Sequence, residues 1–139
     1  MSINVYLNFN GNTREAVEFY AQVFNTEIVT ISTFGESPQS PDFPMPEEAK
    51  NLIMHAMINV GSSPMMFSDT FPGMPFTVGN NITLSYQGSS EEELRSIFSK
   101  LADGGKVGME LQETFWSKCY GQVTDKFDIN WQLNLPPQQ

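Results

Sequence analysis

This sequence is poor in the residues that most often carry chemistry or crosslinks. There is one cysteine, Cys119, and one histidine, His55, in 139 residues. A single cysteine forms no internal disulfide, and one His with one Cys leaves little from which to build a His/Cys metal centre. Basic residues are scarce: seven Lys and Arg stand against sixteen Asp and Glu, a net charge of −9. A field of that sign repels phosphate backbones and anionic lipid surfaces, so neither a nucleic-acid nor a membrane partner is expected. No apolar run approaches the ~20 residues of a membrane span. The opening Met-Ser-Ile-Asn-Val-Tyr-Leu-Asn-Phe has no basic segment and no long apolar core of the signal-peptide kind, and the expected compartment is the cytoplasm. In that compartment the sequon Asn81-Ile82-Thr83 is without meaning. No G-x-G follows an expected strand, so a methyl-donor cradle of that type is not expected.

What the chain does have is apolar material, 40% of residues with 12% aromatic. That is enough for a core in one domain of this length. Alternation predicts a strand over 3–9, with Val5, Leu7 and Phe9 against Asn4, Tyr6 and Asn8. Gly11 turns the chain. Asn12 is a candidate cap, with Glu15 as its capping-box partner, for a helix whose stripe is Ala16, Val17, Tyr20, Val23 and Phe24. Strands are expected over 27–34, 52–60 and 64–68. On the third, Met54, Ala56, Ile58 and Val60 are expected on one face, and Ile53, His55, Met57 and Asn59 on the other. Residues 36–50 carry Pro38, Pro41, Pro44 and Pro46 and read as a long loop, either a lid or a surface excursion.

After an irregular segment at 70–80 the pattern restarts. A strand over 81–87 leads through Gly88 to the Ser90/Glu93 capping-box signature. A helix with the stripe Leu94, Ile97, Phe98 and Leu101 ends at Gly104-Gly105. Strands follow near 107–112, 118–124 and 129–135, and Pro136-Pro137 ends the fold. A shift of 77 positions places Asn4 on Asn81, Leu7 on Leu84, Phe9 on Tyr86, Gly11 on Gly88, Val17 on Leu94 and Tyr20 on Ile97. The expected fold is α+β: a single domain of two tandem βαβββ modules, 1–69 and 81–139, joined by a linker at 70–80. Pairing the modules would leave a cavity between curved mixed sheets, the kind of place where small ligands bind.

The repeat, the helix segment Glu18-Phe19-Tyr20 and the length together resemble the vicinal-oxygen-chelate superfamily of glyoxalase I, bleomycin-resistance proteins and extradiol dioxygenases. Tyr6-Leu7-Asn8-Phe9, Met54-His55-Ala56, Ser68-Asp69, Gln112-Glu113-Thr114-Phe115-Trp116 and Val123-Thr124-Asp125-Lys126-Phe127 are similar to its PhnB-like branch. That branch also goes by the name 3-demethylubiquinone-9 3-methyltransferase-like. The resemblance implies a divalent metal held by His and Glu on the inner strands. The positions that match carry Asn4, Asn81 and Gln132, with Met66 or Ser68 as the fourth. Neutral amides bring no charge to offset an ion, so no metal and no other cofactor is expected.

The candidate catalytic residues are Glu113, whose aromatic neighbours would desolvate it and suit it to act as a base, and His55, as a proton carrier, since a free imidazole changes charge near pH ~6.5. Candidate pocket residues are Tyr6, Asn8, His55, Met57, Ser68, Gln112, Phe115, Trp116, Tyr120 and Gln132. Three readings follow. The first is a metal-free protein that binds a small hydrophobic or aromatic molecule. The second is a glyoxalase-like lyase or isomerase using Glu113 or His55 as base, with or without a weakly held divalent metal. The third is an interaction protein whose aromatic patch is a homodimer contact. Superfamily members often dimerise, and the resemblance implies a homodimer here. Cys119 is expected to be a buried small residue.

Overall fold

The computed structural model describes residues 1–38, 42 and 44–136. The chain divides into two compact units, Met1–Thr77 and Val78–Gln139. The first contains β1 (Val5–Phe9), α1 (Thr13–Val23), β2 (Ile28–Thr33), β3 (Ile53–Val60) and β4 (Ser63–Asp69). The second contains β5 (Thr83–Gln87), α2 (Glu91–Ala102), β6 (Lys106–Gln112), β7 (Tyr120–Thr124) and β8 (Asn130–Asn134). Each is a βαβββ module with a mixed four-stranded sheet, ordered β1-β4-β3-β2 and β5-β8-β7-β6. In each, the first strand pairs in parallel with the last, and the other pairings are antiparallel. Among the described residues no helix is long and apolar enough to cross a membrane.

The helices form where the apolar stripes place them. Ala16, Val17, Tyr20 and Val23 are buried on α1, which packs on β3 and β4; the Tyr20 ring stacks on Phe67 with centroids 5.8 Å apart. Leu94, Ile97, Phe98 and Leu101 are buried on α2, which packs chiefly on β7. There Gly121 permits the approach: a Cβ on it would lie 2.9 Å from the Phe98 ring and from Leu111. Burial follows the repeat, with Leu7 and Phe9 turned inward in β1 as Leu84 and Tyr86 are in β5.

Two local expectations are corrected. Asn12 stands at the start of α1, but its side chain makes no capping hydrogen bond and Glu15 completes no box. The cap comes from Asp69 at the end of β4: Oδ1 accepts the N–H groups of Gly11 at 2.9 Å and Thr13 at 3.1 Å, and Oδ2 accepts that of Ile53 at 2.8 Å. A buried carboxylate with three backbone donors does the work of a local cap and joins three segments. The alternation along β3 is also broken. Ser32 pairs with His55 but Thr33 with Ile53, so Met54 is bulged out to solvent and Ile53 turns into the core.

In the second unit Ser90 Oγ does accept the Glu93 N–H, at 3.1 Å. The Glu93 carboxylate reaches Ser89 and Tyr86, not the Ser90 backbone. The segment after β2 holds two short 3-10 turns, Phe34–Glu36 and Glu47–Ala49; the lid expected over 36–50 lies partly outside the described residues, as does the final Pro137.

Candidate functional site

In the first unit the face of the sheet opposite α1 gathers five of the expected pocket residues. Strand pairing sets Tyr6 beside Met66, Met66 beside Met57, and Asn8 beside Ser68. His55 lies on the same face of β3 as Met57. Tyr6 Oη stands 3.5 Å from His55 Nδ1, with the rings 5.9 Å apart and tilted. Ser68 Oγ donates to Asn8 Oδ1 at 3.2 Å. This face is therefore aromatic and thioether at its centre, with an imidazole, an amide and hydroxyls around it. Tyr6 is 43% exposed, so the face is open within this unit.

The corresponding face of the second unit is built from amides and hydroxyls. Gln122 Nε2 donates to Tyr120 Oη at 3.1 Å, and Tyr120 Oη donates to Gln132 Oε1 at 2.8 Å. Thr124 Oγ1 donates to Asn130 Oδ1 at 2.7 Å. Asn134 Nδ2 donates to Gln87 Oε1 at 2.8 Å, and Gln87 Nε2 donates to Ser85 Oγ at 3.0 Å. The cause is the strand period: alternate residues of β5, β7 and β8 point away from α2, and in this sequence those positions are polar and uncharged. A pocket of about 280 Å³ opens on this face, lined among others by Thr83, Gln122, Asn130 and Gln132.

Gln112 sits at the end of β6, where its Nε2 donates to the Glu110 carbonyl. The loop after it carries the remaining candidates. Phe115 is 97% exposed and Trp116 47%. Their rings meet edge to face at 4.7 Å, and Trp116 meets Tyr120 at 5.3 Å. Glu113 is exposed, which corrects the expectation that aromatic neighbours desolvate it. Within units, Tyr6, Asn8, His55, Met57 and Ser68 come together, and so do Gln132, Tyr120 and the Trp116 ring.

Sequence reasoning overlooks Gln122, Thr124, Asn130 and Asn134. Their polar alternation beside Val123, Trp131 and Leu133 is the available signal. Cys119 is buried, as expected, and burial pushes its thiol pKa up, so it is held as a thiol. The neighbouring Ser117 hydroxyl donates to the Cys119 and Leu135 carbonyls, which ties the loop before β7 to the end of β8.

The metal implied by the resemblance can be tested against these donors. Among the described residues no three of His, Cys, Asp and Glu lie close enough to share an ion. Gln132 Oε1, the oxygen at one expected ligand position, already accepts the Tyr120 hydroxyl. Ser68 Oγ is turned to Asn8. Asn4 and Asn81 are exposed and lie just before β1 and β5. A neutral amide set of this kind does not fit a tightly held transition metal.

Two tandem βαβββ modules with these strand orders define the glyoxalase/bleomycin-resistance fold of the vicinal-oxygen-chelate superfamily. At the level of fold alone, the fosfomycin resistance protein FosX of Listeria monocytogenes matches 99% of the chain with a TM-score of 0.67 at 11% identity. Within that superfamily, the model of the family described as 3-demethylubiquinone-9 3-methyltransferase matches residues 1–134, and the chain belongs to this PhnB-like family. Protein YjdN of Escherichia coli K12 is 33% identical, covering the whole chain and 98% of that protein. The crystal structure of PA1353 from Pseudomonas aeruginosa covers 99% of both chains with a TM-score of 0.87 at 36% identity. The PhnB protein of Bacillus cereus covers 97% of this chain and 99% of its own, with a TM-score of 0.77 at 31% identity.

Proposed function

We propose that this chain is a cytoplasmic small-molecule-binding member of the PhnB-like family with a degenerate metal site. One observation carries the reading: the oxygen at an expected ligand position, Gln132 Oε1, is neutral and is engaged by Tyr120. An ion placed there would gain no charge neutralisation and would break a 2.8 Å hydrogen bond. A ligand with hydroxyl or carbonyl groups needs neither a charged partner nor a new side-chain arrangement.

The first unit's open face supports the choice of a hydrophobic or aromatic ligand. Tyr6 and His55 offer ring faces, and Met57 and Met66 offer polarisable thioethers that adapt to irregular shapes. Titration with indole and with 2-naphthol, followed by the methyl signals of Met57 and Met66, tests this. Saturable shifts at both methyls are expected. Shifts absent with both compounds would overturn it, as would stoichiometric transition metal in protein purified without chelator.

The exposed Phe115–Trp116 pair is read as a contact for a second copy of the chain, giving a homodimer. Trp116→Ala should then lower the sedimentation-derived mass.

One observation favours an enzymatic alternative. His55 Nδ1 stands within 3.5 Å of the Tyr6 hydroxyl, the start of a proton-transfer pair for a lyase or isomerase. Glu113 is the other candidate base, and its side chain is exposed. An activity that depends on His55 and on added Mn²⁺ or Ni²⁺ would support this alternative over metal-free binding. The methyl-transfer activity in the family's description finds no glycine-rich cradle after a strand. Gly11 and Gly88 are single glycines after β1 and β5.

A further inference from the structure

A second pocket, of about 420 Å³, lies in the second unit at the β7–β8 turn. It shares Asn80, Thr124 and Asn130 with the pocket on the amide face, so the two form one groove. A space of this size suits a small organic molecule and is too large for a bare ion. The groove has amides and hydroxyls along its length. Thr124 fixes the orientation of the Asn130 amide by its 2.7 Å hydrogen bond.

Among the described residues one charged side chain lines the groove, Asp128, at the turn end, where Val78 and Gly79 also line it. No Lys, Arg or His is among the described lining residues. The chain's net charge of −9 adds to the bias against anions. Asp128 also occupies a left-handed backbone position, φ 66°. Glycine carries no steric penalty there. The turn itself needs only the Asp128 N–H, which donates to the Asp125 carbonyl at 3.0 Å. The Asp128 carboxylate has no part in that bond and borders the groove.

We infer that this groove binds a small organic amine that also carries hydroxyl or amide groups, with the ammonium at Asp128 and the polar groups along Asn80, Thr124 and Asn130. The described lining of this groove belongs to the second unit, and the inference rests on those residues.

The test uses glucosamine as the amine, N-acetylglucosamine as its uncharged counterpart and glucose 6-phosphate as the anion. Each is titrated into the full chain and followed by backbone amide shifts. Glucosamine is expected to move Asn80, Asp128 and Asn130, and to bind about fivefold more tightly than N-acetylglucosamine, the preference one ion pair near the surface supplies. Glucose 6-phosphate is expected to move none of them. Asp128→Gly removes the carboxylate while relieving the backbone, so it folds, and it should erase the preference; Asp128→Asn should do the same. No glucosamine shift at these residues, equal binding of the two sugars, or a preference that survives Asp128→Gly would each overturn the inference.

Discussion

Asp69 and Ile53 are joined by a 2.8 Å hydrogen bond from the first backbone N–H of β3 to the last side chain of β4. The other carboxylate oxygen holds Gly11 and Thr13 at the start of α1. Asp69→Ala would leave three N–H groups without this acceptor. Each orphaned donor costs about 1–3 kcal/mol where it stays buried. A loss of about 3 kcal/mol or more is expected in urea unfolding, against roughly 0.5 kcal/mol or less for Asn12→Ala, whose side chain caps nothing. Equal losses would show that the cap is local after all.

Tyr86 and Glu93 give a pH-dependent contribution. The Tyr86 hydroxyl donates to Glu93 Oε1 at 2.7 Å. Hydrogen bonds from Tyr86 and then Ser89 hold the Glu93 carboxyl below its usual range; burial and then Glu93 push the Tyr86 phenol up. The lowered carboxyl adds stability that is present above its unfolded pKa and is lost as pH falls through the folded value. The raised phenol adds stability that is present below about pH 10 and is lost on the way up. Tyr86→Phe should cost about 1 kcal/mol at neutral pH and move the Glu93 titration, read by NMR, back toward ordinary glutamate. An unmoved Glu93 would sink the account.

Asp128→Gly should stabilise the chain by roughly 0.5 kcal/mol, because glycine holds a left-handed position without the clash of a Cβ. The contrasting case is Gly105, where a Cβ would run into the Thr124 carbonyl. Gly105→Ala should cost about 2 kcal/mol through the shift this forces in the β6–β7 pairing. Thermal melts of the two variants should move in opposite directions.

S-adenosylmethionine should give no saturable heat on titration, and elemental analysis should find transition metal well below one atom per chain. Tight binding of the methyl donor would restore the activity in the family's description, and a full complement of metal would mean that ligands come from elsewhere in the chain.

Much of the architecture is legible because it depends on local period. The Val5-Leu7-Phe9 alternation and the Leu94-Ile97-Phe98-Leu101 stripe bury where their spacing places them. What escapes is what depends on distant partners. Nothing near Asn12 in sequence announces that a carboxylate at the end of β4 will cap the helix. Nothing local to Met54 tells that the pairing of Ser32 and Thr33 will skip it. The candidate site divides in the same way. Tyr6, His55 and Met57 share a face because strands alternate. The fate of Glu113 turns on whether a loop folds inward, which neighbouring aromatics do not decide. The amide network is hidden because Gln and Asn look ordinary one at a time, and acquire meaning only when β7 and β8 bring them into register.

The parallel pairing of first strand with last sets the order in which this protein can fold as it leaves the ribosome. Neither sheet is complete until its fourth strand has been made, and β4 lies between β1 and β3. A nascent chain that has left the exit tunnel only as far as β3 has α1 without its cap and lacks the strand that joins β1 to the β2–β3 pair. Release of Asp69 supplies the missing strand and the capping carboxylate together. The first unit should therefore acquire protection from protease in one step, while most of the second is still being synthesised.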